Sequence, residues 1–137
     1  MSEVTNLNEA TAKETANEYA KPIVLRFKDT NTEYTLEFNR ATVTLAEKRG
    51  FPLTPMNPEV VTQRPAEVIP DLFYYSFLMH HKGMNRQITD KILFEDLGGM
   101  SGEMLERLIT LHAQGYETLI NIEEDQKPKN SNLAVEM

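Results

Sequence analysis

The sequence predicts an α+β domain: an N-terminal β-hairpin followed by three to four packed α-helices, with disordered acidic termini. Two observations favour this class. Apolar and polar residues alternate over residues 34–38, directly after a turn-forming cluster. Downstream, apolar residues recur at helical spacing in segments bounded by capping residues and glycines. A chain of 137 residues fits one such domain.

The hairpin is predicted from residues 22–28 (PIVLRFK), which are rich in β-forming side chains, and from the alternation that follows. Residues 29–32 (DTNT) form the turn cluster between them. Tyr34, Leu36 and Phe38 lie on one side of the second strand. Because an isolated hairpin is only marginally stable, it must pack on a helix, gain a third strand or pair with another chain.

The first helix is predicted over residues 40–49, with Asn39 as its N-cap and Gly50 as its C-terminal stop. Residues 51–66 contain four prolines, a density that forbids a regular helix and breaks a strand ladder. We therefore expect a loop there, long enough to be functional or ordered by a partner.

Three more helices are predicted after this loop. The second covers residues 66–81, with Pro70 tolerated if it falls in the first turn. The third covers residues 89–97, with Thr89 as its N-cap. The fourth covers residues 101–122, with Ser101 as its N-cap and one broad apolar face.

Charge and composition predict three segments: a flexible tail at 1–20, a single domain at 21–122 and a second flexible tail at 123–137. The net charge is −7, and no basic patch is present that would neutralise phosphates, so we expect no nucleic-acid partner. The longest apolar stretch, residues 72–79, is far too short to span a bilayer, so no membrane role is expected.

The second predicted helix is apolar on all sides, and such a helix must be covered on more than one face. In a monomer, Tyr74, Phe77 and Leu78 then form an exposed apolar patch, which is typical of an interaction site. The alternative is a central core helix wrapped by the hairpin and the other helices. The candidate partner-binding residues on this helix and the preceding loop are Phe51, Leu53, Met56, Tyr74, Phe77 and Leu78.

The residues with chemical potential do not form a recognisable catalytic or metal site. His80 and His81 point about 100° apart on a helix, whereas two histidines sharing a metal need a spacing of three or four. His112 lies within the apolar stripe of the last helix. The chain has no cysteine, which excludes thiolate nucleophiles and cysteine zinc sites. We therefore predict no catalytic residue, no metal, no cofactor and no enzymatic activity.

The acidic pair at residues 95–96 and the glycine-rich residues 98–102 also predict no catalytic or phosphate-binding site. Glu95 and Asp96 end a helix, where acids are normally solvated. The glycine-rich residues 98–102 lack the pattern and the following lysine of a phosphate-binding loop. We interpret them as a turn between two helices.

The order of these segments resembles that of the tail assembly chaperones of long-tailed phages of Gram-positive bacteria. The similarity lies in residues 34–40 (YTLEFNR), a helix ending in EKRGF at 47–51, the central helix DLFYYSFLMHHK at 71–82, and TDKIL at 89–93. It covers roughly residues 22–122 and consists of apolar positions with a few marked residues.

The resemblance implies a non-catalytic protein of the host cytoplasm that binds the phage tape measure protein while the tail tube polymerises. It also implies self-association into homo-oligomers, with the major tail protein as a further partner. The alternative within the same setting is a structural virion protein, either a head–tail connector or a tail completion subunit.

Overall fold

The computed structural model describes residues 19–120, 130 and 132–134, so most of the two predicted tails lies outside the described residues. The prediction of an α+β domain that begins with a hairpin is confirmed. The elements are β1 (Ile23–Phe27), β2 (Thr32–Leu36), α1 (Arg40–Lys48), α2 (Val60–Gln63), α3 (Pro65–Phe77), α4 (Arg86–Lys91, continued by a π-helical turn Ile92–Asp96) and α5 (Gly102–Glu117).

The hairpin is antiparallel, with Ile23 paired to Leu36 and Phe27 paired to Thr32. Asn31 takes a positive φ of 54° in its turn, which asparagine tolerates better than most side chains. The second strand ends at Leu36 and not at Phe38, because the backbone N–H of Glu37 leaves the hairpin and donates to the carbonyl of Ser76 at 2.9 Å.

The predicted start of α1 and its stop at Gly50 are confirmed, although the helix ends at Lys48, one residue before the predicted end. Asn39 Oδ1 accepts from the Thr42 N–H and Thr42 Oγ1 accepts from the Asn39 N–H, a reciprocal pair that satisfies two otherwise unbonded donors. Gly50 follows with a φ of +89°, the left-handed conformation in which glycine ends helices.

The loop predicted over residues 51–66 contains a helical turn, α2, so that prediction is wrong in part. Prolines permit the turn because they lie at its borders: the Pro58 carbonyl accepts from the Val61 N–H, and Pro65 is the first residue of α3. A proline in the first position of a helix removes an N–H that has no helical partner. Val60 and Val61 are both buried.

The central helix α3 begins at Pro65 and ends at Phe77, four residues before the predicted end. Pro70 lies inside it and not in the first turn, which corrects the prediction. An interior proline removes one backbone hydrogen bond and crowds the preceding turn. The helix persists because it is held by packing: Val68, Leu72 and Phe73 are fully buried around this position.

The next helix begins earlier than predicted. Asn85, and not Thr89, is the N-cap of α4, and its Oδ1 accepts from the Ile88 N–H at 2.9 Å. Thr89 is instead a buried interior residue. The predicted N-cap Ser101 of α5 is confirmed by a bond from the Met104 N–H, although α5 ends at Glu117 and not at residue 122.

The core lies around α3, which contacts the hairpin, α1, α4 and α5. Where α1 crosses α5, Gly115 allows a close approach: a Cβ there would lie 3.0 Å from Val43 Cγ1 and 3.3 Å from the Asn39 carbonyl oxygen. The largest fully buried apolar side chains are Phe73, Phe77, Leu36, Leu72, Leu93, Leu108, Leu111, Val43 and Val68.

Candidate protein-binding surface

The exposed patch predicted on the central helix does not exist in this monomer, because Phe77 and Leu78 are both buried and Tyr74 is half-buried. Phe77 is covered by Tyr34 of β2, with ring centroids 5.5 Å apart, and by Phe73, at 5.0 Å. The alternative interpretation, a central core helix wrapped by its neighbours, is therefore the correct one.

The predicted contact residues of the preceding loop differ in their burial. Phe51 and Leu53, two of the predicted contact residues, are buried. The Phe51 ring packs against Tyr75 at 5.4 Å and His112 at 5.6 Å. Met56 is 75% exposed and is the predicted contact residue that remains fully available to a partner.

The two adjacent histidines tie the end of the central helix to the hairpin. His80 Nε2 lies 2.8 Å from Glu37 Oε1, and His81 Nε2 accepts a hydrogen bond from the backbone N–H of Thr35 at 3.0 Å. Burial, together with the nearby His80, lowers the pKa of His81. Only the neutral ring can accept the hydrogen bond from the Thr35 N–H. The lowered pKa of His81 favours that neutral form and is therefore consistent with this hydrogen bond.

His112 occupies the apolar interior, 3% exposed. Its ring contacts Phe38 at 5.1 Å, Phe51 at 5.6 Å and Tyr116 at 6.2 Å. Burial lowers its pKa to about 4, because removal from water disfavours the charged imidazolium. The ring is therefore neutral at physiological pH and packs as a core side chain.

Within residues 19–120 and the few described beyond them, no three histidine or acidic side chains lie close enough together to hold a metal ion. No helix in the same part of the chain is both long and apolar enough to cross a membrane.

Large exposed apolar side chains are found instead on α4. Ile88 is 42% exposed, Phe94 56% and Leu97 40%. Phe94 lies in the π-helical turn and Leu97 directly follows it, at the C-terminal end of the helix. The π-helical turn that carries Phe94 closes with a bond from the Leu97 N–H to the Ile92 carbonyl, and such turns occur frequently at functional sites.

This surface was missed from the sequence, although a signal was present. Ile92, Leu93 and Phe94 are consecutive apolar residues. Since successive helical side chains point about 100° apart, three of them cannot all face the core. Ile92 and Leu93 are buried and Phe94 is directed outward.

Ile88 also borders a groove of about 260 Å³ between α4 and the hairpin. Its lining includes Lys91 and Asp96, one charge of each sign. The groove is lined by Phe27, Thr30, Thr32, Tyr34, Ile88, Lys91, Ile92 and Asp96.

A second, shallower groove of about 740 Å³ lies between α1 and the end of α5. Its lining residues are Asn39, Arg40, Ala41, Thr44, Leu45, Lys48 and Thr118. The Arg40 guanidinium donates to the Thr118 carbonyl at 3.0 Å, which joins the start of α1 to the end of α5.

The fold and its surfaces define a small α+β domain built around one central helix, with apolar side chains exposed on a neighbouring helix. A family model described as a domain of unknown function (DUF5055) matches residues 11–137. The chain therefore belongs to the DUF5055 family. No curated protein and no solved structure matches it.

Proposed function

We propose that this protein is a non-catalytic tail assembly chaperone that binds the phage tape measure protein in the host cytoplasm. The observation that carries the binding function is the exposure of Ile88, Phe94 and Leu97 on α4. The sequence resemblance over residues 22–122 is what favours a role in tail assembly.

The α4 surface suits a helical, amphipathic partner. A partner helix presents apolar side chains at spacings of three and four, and these fit exposed apolar anchors and an adjoining groove. Phe94 is the best anchor, because aromatic side chains bury the largest area at a contact. The net charge of −7 would keep many copies soluble along one long partner.

Co-expression with a phage tape measure protein tests the proposal directly. We expect a tagged copy of this chain to retain that protein through purification. The double variant Phe94→Ser, Leu97→Ser should lose most of the bound protein while keeping its melting temperature, because both side chains are already exposed. Unchanged binding by a folded double variant would contradict the assignment of this surface.

Met56→Ala is the matched comparison, since it removes an exposed apolar side chain outside α4. We expect it to bind as the unaltered chain does. A larger loss with Met56→Ala than with the α4 variant would move the contact to the proline-rich segment. Absence of any binding by the unaltered chain would contradict the chaperone proposal itself.

Mass spectrometry of purified virions tests the alternative that this chain is a structural protein of the virion. A chaperone leaves after tail assembly, so we expect no peptides of this chain in finished particles. Detection at a fixed number of copies per particle would replace the proposal with a connector or completion subunit. The major tail protein, used as a second bait, tests the remaining partner.

A further inference from the structure

All three histidines of the chain contact one short segment, residues 34–38, which covers the end of β2 and the two residues after it. The pairs are His81 with Thr35, His80 with Glu37 and His112 with Phe38. His80 and His81 lie in the turn after α3, so two neighbouring imidazoles fix this segment to the end of the central helix. The charge of histidine changes readily between about pH 5 and pH 8.

The two neighbouring imidazoles respond to a proton in opposite ways. His81 Nε2 accepts the Thr35 N–H at 3.0 Å, and only a ring nitrogen without a hydrogen can accept. A second proton on this ring would be carried by Nε2 and would place two N–H donors against each other. His80 Nε2 lies 2.8 Å from Glu37 Oε1, so a proton on His80 makes that contact an ion pair.

We propose that His81 is an acid-released latch between β2 and the end of α3. The neutral ring holds the Thr35 N–H, and the protonated ring releases it. Release leaves this donor unpaired at the outer edge of β2 and loosens the His81 ring from Tyr34, which it meets edge-on at 5.2 Å. An unpaired edge donor is a template for an added strand, so the latch keeps this edge closed at neutral pH.

The groups that face the His81 ring come from three parts of the fold. The hairpin contributes Tyr34, α3 contributes the apolar Phe77 at 6.3 Å, and the turn itself contributes His80 at 6.5 Å. The Glu37 carboxylate bonds to His80. Burial, and then the positive charge of His80, lower the pKa of His81, so the latch stays closed until the solution is more acidic than an exposed histidine would require.

Release at His81 is a local event, because two other contacts keep the segment in place. The Glu37 N–H donates to the Ser76 carbonyl at 2.9 Å, and this backbone bond does not titrate. The His80–Glu37 contact strengthens in acid, but both side chains are partly exposed, by 38% and 29%, and water and salt weaken such a pair. We therefore expect the edge of β2 to open while the rest of the domain stays folded.

Nuclear magnetic resonance of the full chain labelled with ¹⁵N tests the latch directly, because an N–H···N hydrogen bond carries a scalar coupling between its two nitrogens. At neutral pH we expect the His81 proton on Nδ1 and a coupling between Thr35 N and His81 Nε2. As the pH is lowered from about 7.5 to about 5, this coupling should disappear together with the protonation of His81. The midpoint should lie below 6.5, and amides in α5 should keep their protection.

His81→Gln is the matched variant, because the glutamine oxygen can accept a hydrogen bond but does not titrate. The Thr35 amide shift should then change much less with pH than in the unaltered chain. His80→Gln removes the neighbouring positive charge and the ion pair with Glu37. It should raise the midpoint of His81, whereas a His80 that only fills space would leave that midpoint unmoved.

A His81 proton on Nε2 at neutral pH would overturn the proposal, and so would a Thr35 coupling that survives protonation of His81. An equal titration of the Thr35 amide in a folded His81→Gln variant would do the same. Should His81→Gln fail to fold, the coupling and the midpoint in His80→Gln decide alone. None of these measurements involves a partner protein, so the latch and the proposed function fail separately.

Discussion

Helices α3 and α4 differ both in apolar character and in their surroundings in the fold. Helix α3 is apolar on all sides, and Val68, Leu72, Phe73 and Phe77 are all fully buried. Helix α4 is shorter and carries Ile88, Phe94 and Leu97 on the surface. The more apolar helix is thus the less exposed one.

The difference comes from position in the fold. The hairpin, α1, α4 and α5 all contact α3, so most of its apolar side chains are covered. Helix α4 lies at the outside of this arrangement and buries only a narrow stripe that includes Thr89, Ile92 and Leu93. The apolar content of a helix therefore indicates how many elements must pack against it. The exposure of its side chains depends on how many elements do pack against it in the fold.

The largest expected effect comes from truncating one phenylalanine on each helix. Phe77→Ala should lower the free energy of unfolding by about 3–5 kcal/mol, the cost of a large cavity in a packed core. Phe94→Ala should change it by less than about 0.5 kcal/mol, because Phe94 is already exposed to solvent. Urea denaturation of the two variants measures both values, and equal losses would contradict the contrast between the helices.

The apolar surroundings of His112 on α5 also predict a pH dependence of stability. Its folded pKa is lowered from 6.5 to about 4, so the unfolded chain binds a proton first as the pH falls. The stabilising effect of the neutral ring is complete above the unfolded pKa and declines down to the folded pKa. When the pH falls from about 7 to about 5, His112 alone should lower the free energy of unfolding by about 2 kcal/mol.

His112→Leu is the control for this decline, because leucine fills apolar space and does not titrate. Urea midpoints measured at both pH values should fall steeply for the unaltered chain and distinctly less for the variant. The lowered pKa of His81 contributes with the same sign, so some slope remains. An identical slope in the two proteins would show that His112 takes up its proton without loss of packing.

Features encoded by a few adjacent residues were predicted correctly. The N-caps Asn39 and Ser101 and the stop at Gly50 each depend on the chemistry of one turn. The antiparallel hairpin follows from local alternation around a turn cluster. These features can be predicted from the sequence because their partners lie within about four positions.

Features decided by distant residues were not predicted. Phe51 is buried by Tyr75 and His112, and Phe77 by Tyr34, all from other elements. Pro70 stays inside a helix because neighbouring side chains hold it there. No local pattern states which face another element will cover, so the patch predicted to be exposed on α3 is largely buried in the fold.

The smallest expected effect concerns where α4 begins. Asn85 Oδ1 accepts from the Ile88 N–H, so Asn85→Ala should cost about 1 kcal/mol, typical of a lost N-cap. Asn85→Asp keeps an acceptor and should cost little. Amide hydrogen exchange locates the change: the Ile88 N–H should exchange faster in Asn85→Ala, while amides in α3 keep their protection. Equal protection of Ile88 in both variants would place the start of the helix elsewhere, and Thr89, the N-cap predicted from the sequence, would again be a candidate.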